Sequence, residues 1–230
     1  MTRTMSALVT GAGGALAAAV IARLEAAAWR PVLLDRLPVD ALRERYPDRL
    51  VGRADLTDEA DTRAEVARLA READGLDAVL NLAGGFAMTN AADVTLADLQ
   101  KQLALNLITT VSTTTAALPG MLERGHGVVV GIAAGQAVDG GAKVAPYAAA
   151  KAGVVAYLRS LDKELAAAGV RTIVVYPMGT LDTPANRDAM PDADPALWID
   201  TGALADAIVH GLTLGPRARL THLKVYPDAR

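Results

Sequence analysis

The chain alternates short, nearly unbroken apolar runs with longer stretches whose apolar positions recur every three or four residues. The short runs are Ala7–Thr10, Val32–Asp35, Leu50–Ala54, Ala78–Leu82, Val128–Ile132, Thr172–Tyr176 and Leu220–Tyr226. Most lack polar alternation, which predicts parallel strands covered on both faces. The stretches Ala15–Ala28, Asp58–Ala73, Leu96–Arg124, Tyr147–Ala168 and Thr201–Leu212 predict helices. Strand and helix in regular alternation imply an α/β fold, a doubly wound parallel sheet filling one domain over residues 1–230. One irregular stretch, Met178–Asp200, is rich in Pro and Asp. It follows the carboxyl end of the sixth strand, where open sheets of this kind bind ligands. It reads as a substrate lid over about 178–200, or else as an ordinary surface loop.

Composition narrows the function classes. Hydrophobic residues make up 52% of the 230, enough for a large core. The net charge of −3 leaves no basic excess for nucleic acid or for a membrane surface. With a single Phe and 3% aromatics, a base-stacking surface is not expected, and the core rests on Ala, Val, Leu and Ile. The absence of Cys excludes disulfides, a thiol nucleophile and thiolate-bound metal. His126, His210 and His222 are scattered without ligand spacing, so no metal site is expected. No apolar run reaches about 18 residues, and the amino-terminal run is too short for a signal peptide. The expectation is a soluble, cytoplasmic protein acting on a small molecule.

The first strand runs into Thr10-Gly11-Ala12-Gly13-Gly14-Ala15-Leu16-Ala17 and then a helix. Glycines there let the backbone approach a pyrophosphate, and the helix start offers free N–H groups. Gly11, Gly13, Gly14, Ala15 and Leu16 are therefore candidate cofactor contacts. Asp35 ends the second strand, 24 residues after Gly11. Its carboxylate suits ribose hydroxyls and repels a 2′-phosphate, which predicts NAD(H) over NADP(H). Arg36 complicates this, since a guanidinium accommodates a phosphate. Asp35 also reads as a plain loop or cap carboxylate. Asp55 and Leu56, after the third strand, are candidates for the adenine end. Asn81, Ala83 and Gly84 close the fourth strand beside the switch point. Either segment alone reads equally as a turn. Tyr147 and Lys151 stand four apart on one helix face, where an ammonium lowers the phenol's pKa and readies it for acid–base work. Taken alone, such a pair is as readily a surface coincidence.

Together these residues resemble the short-chain dehydrogenase/reductase family over nearly the whole chain. The family's glycine motif falls on Thr10, Gly11, Ala15 and Ala17, with Ala where the last two positions carry Gly. Its N-x-A-G falls on Asn81, Ala83 and Gly84, its Y-x-x-x-K on Tyr147 and Lys151, its helix-borne Asn on Asn106. The turn after the sixth strand falls on Pro177-Met178-Gly179. The resemblance implies a seven-stranded Rossmann sheet and a nicotinamide dinucleotide, with Pro177 and Thr180 among its contacts. It also implies a homodimer or homotetramer built on the long helices. Tyr147 would exchange the substrate proton, Lys151 would hold the nicotinamide ribose, and Asn106 would order a water behind Lys151.

One departure carries chemical weight. The family's Ser, thirteen residues before the Tyr, is here Ala134, and no Ser or Thr occurs from Ala116 to Arg159. Losing a hydrogen-bond donor to a developing oxyanion costs about 10²–10³ in rate. A substrate that spreads its charge over a conjugated system needs that donor less. Within the family the chain is most similar to dihydropteridine reductases. The shared features are Gly14-Ala15-Leu16, Ala83-Gly84-Gly85-Phe86, the Ala in place of Ser, and Thr180-Leu181-Asp182-Thr183-Pro184-Ala185-Asn186-Arg187 followed by Trp198. Asn106 does not belong to that pattern. This resemblance implies NADH-dependent reduction of a quinonoid dihydropterin, with Phe86, Ala134, Met178 and Trp198 as candidate substrate contacts. Asp182 and Asn186 would read a pterin edge or, more simply, cap a helix. Two alternatives stand beside this reading: a carbonyl or quinone reductase working without the Ser, and a non-catalytic nucleotide sensor.

Overall fold

Every residue of the first strand is buried, so it has no solvent face and belongs in the middle of a doubly covered sheet. The computed structural model, which describes residues 3–214 and 217–228, places it there. The strands are β1 (Ser6–Thr10), β2 (Arg30–Asp35), β3 (Leu50–Arg53), β4 (Ala78–Asn81), β5 (Gly127–Ile132), β6 (Val170–Pro177) and β7 (His222–Val225). They form one sheet in the order β3-β2-β1-β4-β5-β6-β7, every pair parallel. The order reverses direction between β1 and β4, which opens a crevice at their carboxyl ends. This is the single-domain, seven-stranded Rossmann sheet expected from the sequence, and each strand lies within two residues of its expected bounds.

The helices are α1 (Ala15–Ala26), α2 (Val39–Arg45), α3 (Glu59–Glu72), α4 (Leu96–Gln102), α5 (Thr109–Arg124), α6 (Gln136–Asp139), α7 (Ala145–Leu165), α8 (Pro184–Ala189) and α9 (Thr201–Thr213). Side chains alternate across β1, so Val9 joins Val20, Leu24, Leu204 and Ile208 of α1 and α9 on one face. Leu8 joins Val66, Leu69, Met121 and Leu158 of α3, α5 and α7 on the other. Each face is a dry layer of aliphatic side chains. No helix among the described residues is long and apolar enough to cross a membrane.

Three departures from the sequence expectation have physical causes. The stretch Leu96–Arg124 is not one α-helix: a π-helical segment, Leu103–Ile108, separates α4 from α5. Widening the helix disturbs its carbonyl pairing, and threonine hydroxyls answer it. Thr109 donates to the Leu105 carbonyl at 2.9 Å and Thr110 to that of Asn106 at 2.8 Å. Helix α2 escapes the periodicity because it buries only Leu42. The stretch Met178–Asp200 is ordered rather than irregular: it holds α8 and a 3₁₀ turn at Pro195–Leu197. A parallel bridge between Leu181 and the buried Ile199 pins its base, where the Ile199 N–H meets the Thr180 carbonyl at 2.8 Å.

The crevice is set by one latch. The buried Thr10 hydroxyl accepts hydrogen bonds from the backbone N–H groups of Leu82 and Ala83, both at 3.1 Å. It thus fastens the end of β1 to the chain leaving β4. Thr10→Val keeps the shape but strands the Ala83 N–H, so urea unfolding should show a loss of about 1–2 kcal/mol with an unchanged denaturant slope. Thr10→Ser, which keeps the acceptor, should lose well under half of that.

Candidate active site

The glycine turn starts where β1 meets β4. Gly11 adopts φ +65°, and a Cβ there would fall 2.9 Å from the Ala83 backbone. Only glycine fits this approach. Gly14 then closes the turn, its N–H donating to the Gly11 carbonyl at 2.9 Å, and α1 begins at Ala15. That helix start has no side-chain cap and no acidic residue in its first turn. The first-turn N–H groups of Ala15 and Leu16 therefore present partial positive charge at the carboxyl edge of the sheet, a setting that fits a pyrophosphate.

Asp35 lies beside this turn and is largely buried. Its carboxylate accepts from the Gly13 N–H at 2.9 Å and the Leu37 N–H at 3.0 Å, one oxygen each. It thus builds the loop, as the plainer reading held, and each oxygen keeps a second lone pair at the crevice. Arg36 is exposed, and its carbonyl accepts from the Arg53 guanidinium at 3.2 Å. Asp55 accepts from the Thr57 N–H and hydroxyl at 2.9 and 2.6 Å, and these bonds hold its carboxyl below the usual range. The Leu56 side chain is packed in the core, so it brings no side-chain contact to the crevice. Sequence reading missed Arg45 and Tyr46 at the end of α2. The Arg45 guanidinium donates to the Gly13 carbonyl at 2.7 Å and the Tyr46 hydroxyl to the Ala12 carbonyl at 3.3 Å. Asp40 in the first turn of α2 and Arg43 and Arg45 in its last are the charge signature that points to this helix.

The other half of the crevice gathers residues from β4, the π-helical segment and α7. The Asn81 side chain turns inward, donating to the Thr114 hydroxyl and the Val130 carbonyl, both at 3.1 Å. It braces β4 against β5 and α5 instead of facing the crevice. Asn106 holds Gly85 from both sides, accepting from its N–H at 3.2 Å and donating to its carbonyl at 2.9 Å. The Asn106 amide also donates to the Gln102 backbone and side-chain oxygens at 3.1 Å. A Cβ on Gly84 would lie 2.8 Å from Asn106 Oδ1 and 3.5 Å from Lys151 Nζ, so these three residues meet at one point. Lys151 is buried and donates to the Ile132 carbonyl at 2.8 Å. Its ammonium stands 5.8 Å from the centre of the Tyr147 ring. Phe86, 59% exposed, meets that ring edge-on with centroids 5.0 Å apart.

The electrostatics correct the expectation of an acidified phenol. Burial pushes Tyr147 up to about 12 and Lys151 down to about 8. Desolvation disfavours the charged form of each group and is the cause of both shifts.

Ala134 is buried and offers no polar side-chain atom. The neighbouring Gly135 N–H donates to the Pro177 carbonyl at 2.9 Å, and Met178 packs over Gly135. Pro177 and Met178 thus close the floor behind Ala134, and Thr180 begins the excursion above it. Trp198 sits half-buried in that excursion, its backbone N–H donating to the Pro195 carbonyl at 3.1 Å. Neither Asp182 nor Asn186 caps α8. Thr183 does, accepting from the Asn186 N–H at 3.2 Å, because the cap must precede Pro184 at the first helical turn. Asp182 is instead paired with Arg187 at 2.6 and 2.7 Å, and the Asn186 amide donates to the Leu181 carbonyl at 2.8 Å.

Comparison with known proteins places this geometry. A sequence model described as short chain dehydrogenase matches residues 5–194. An uncharacterized oxidoreductase of Staphylococcus aureus strain N315 is 28% identical over 226 residues, 96% of each chain. An inactive 2-(S)-hydroxypropyl-CoM dehydrogenase of Xanthobacter autotrophicus is 35% identical over 147 residues, 63% of each chain. A short-chain dehydrogenase from Streptomyces avermitilis shares the fold with TM-score 0.83 at 24% identity, over 96% of this chain and 88% of that one. The chain is an oxidoreductase and belongs to the short-chain dehydrogenase family, whose members generally use NAD(P)(H).

Proposed function

We propose that the chain is an NADH-dependent reductase of a conjugated substrate such as a quinonoid dihydropterin, with Tyr147 as proton donor and no catalytic Ser. The observation that carries this reading is the pairing of an intact Tyr147–Lys151–Asn106 cluster with a buried Ala134. On this reading the proton donor is kept while the second oxyanion donor is given up. A substrate that disperses charge over a ring, or accepts its proton on nitrogen, tolerates that loss. Asn106 favours a second reading, a carbonyl or quinone reductase that dispenses with the Ser, because dihydropteridine reductases do not share it.

A nicotinamide dinucleotide supplies the hydride when bound. The start of α1 and the glycine turn would hold its pyrophosphate, and Asp35 its adenosine ribose, which supports NADH over NADPH. Lys151, buried beside Gly84, would hold the nicotinamide ribose. Tyr147 keeps its proton throughout the neutral range, since its phenol titrates near 12. It yields that proton only to an atom made basic by reduction, and the Lys151 ammonium then offsets the phenolate charge. Phe86 would wall one side of a flat ring, edge-on to Tyr147.

With NADH and quinonoid dihydropterin, Tyr147→Phe should lower turnover about 10²–10⁴-fold while NADH still binds. Turnover of simple ketones instead, rising about 10²-fold in Ala134→Ser, would move the assignment to the second reading. The pH profile of kcat/KM should fall on its alkaline side near pH 8. The Lys151 ammonium is populated below about 8 and lost above it, whereas Tyr147 stays protonated to about 12. Lys151→Arg, which does not titrate there, should remove that limb from whatever activity remains. The Michaelis constant for NADH should be lower than for NADPH, and the reverse order would refute the part given to Asp35.

A further inference from the structure

The Gly13 residue is held at both of its backbone polar groups, one on each flanking peptide, by side chains from the neighbouring strand–helix unit. Its N–H donates to Asp35 Oδ2 at 2.9 Å, and its carbonyl accepts from Arg45 Nη1 at 2.7 Å. Asp35 ends β2 and Arg45 ends α2, so the two grips come from opposite ends of one short segment. The segment is fastened further. Tyr46 donates to the Ala12 carbonyl, the Arg45 guanidinium lies 5.4 Å from the Tyr46 ring centre, and Leu37 covers Gly13 so closely that a Cβ there would meet it at 2.5 Å. Nothing in the core requires Arg45, because α2 buries only Leu42. Arg45 makes no ion pair among the described residues, and its one hydrogen bond goes to the glycine turn.

We infer that Arg45 is a positioning residue for the dinucleotide: it fixes the carbonyl of the Gly13–Gly14 peptide and so pre-organises the turn whose N–H groups receive the pyrophosphate. A glycine-rich turn left free must be ordered at the moment of binding, and that ordering is subtracted from affinity. A guanidinium on the carbonyl side and a carboxylate on the N–H side fix the two peptides that flank the Gly13 Cα and so remove its backbone freedom beforehand. The effect falls on binding and not on the chemical step, since Arg45 lies at the adenosine end of the crevice. This inference rests on the proposal that the glycine turn binds the cofactor.

The test is titration of the purified protein with NADH and with ADP-ribose by calorimetry, alongside thermal unfolding. In Arg45→Met both ligands should bind about tenfold more weakly, the size of one charge-assisted hydrogen bond. The melting temperature should stay within about 2 °C of the parent, because the bond is exposed. Arg45→Lys, which keeps a charged donor, should recover part of the affinity. Equal affinities in parent and Arg45→Met would overturn the inference. So would a loss of affinity matched by a fall in melting temperature in both variants, which would make Arg45 a merely structural prop. If the parent binds neither NADH nor ADP-ribose, the cofactor reading itself fails, and that outcome is separate from the others.

Discussion

The crevice depends on how closely β1 and β4 approach at their carboxyl ends. The Gly11 backbone comes so near Ala83 that no side chain fits between them, and the Thr10 hydroxyl ties the Leu82 and Ala83 N–H groups to β1. A doubly wound sheet diverges here, because the chain departs to opposite faces on either side of the switch point. Without the latch, the divergence would pull the turn after β4 away from the glycine turn. With it, the two loops share one wall. Every group given a part in function, from the start of α1 to Gly84, is positioned relative to that wall.

Burial then sets the chemistry on the far side. Tyr147 and Lys151 sit in a region built from aliphatic and alanine side chains, and desolvation moves their pKa values in opposite directions. Both shifts favour the neutral form. A phenol that holds its proton is a poor base but a good proton store, which is what reduction requires of it. Ala134 is buried nearby without a polar side-chain atom, and on the proposed reading it leaves the Tyr147 phenol as the site's hydroxyl donor. On that reading, the charge formed by reduction is carried by the substrate itself or neutralised by a single proton.

The strands and the long helices were legible because burial on both faces leaves an unbroken apolar run, and burial on one face leaves a stripe. Gly11 and the Tyr147–Lys151 pair were legible because their spacing is tied to chain geometry, whereas Asn106 came into view only through the family resemblance. What the sequence concealed was of another kind. The π-helical segment shifts carbonyl pairing without much disturbing the apolar pattern, and α2 is held by polar grips on a neighbouring loop instead of by an apolar face. The phenol's pKa was misjudged because spacing reveals the nearby ammonium but not the dry surroundings that raise it. The roles of Asp182 and Asn186 turned on where Pro184 forces the helix to start.

Two of these concealed features, the π-helical segment and α2, share one device. Two loops of the crevice have no strand partner, and each has a glycine residue gripped at its backbone N–H and carbonyl by side chains. Asp35 and Arg45 grip Gly13, and the single amide of Asn106 grips Gly85. A side chain with a donor and an acceptor in one plane imitates the edge of a strand, and a carboxylate with a guanidinium does so with two residues. The loops thereby obtain the pairing that a sheet would give them while leaving their outer faces open. The placement of Asn106 in the widened helical segment follows from this. Its amide must reach past α4 to Gly85 while Gln102, one helical turn earlier, holds its remaining hydrogen. A helix at ordinary pitch would rotate that amide around the helix axis, away from the peptide it grips.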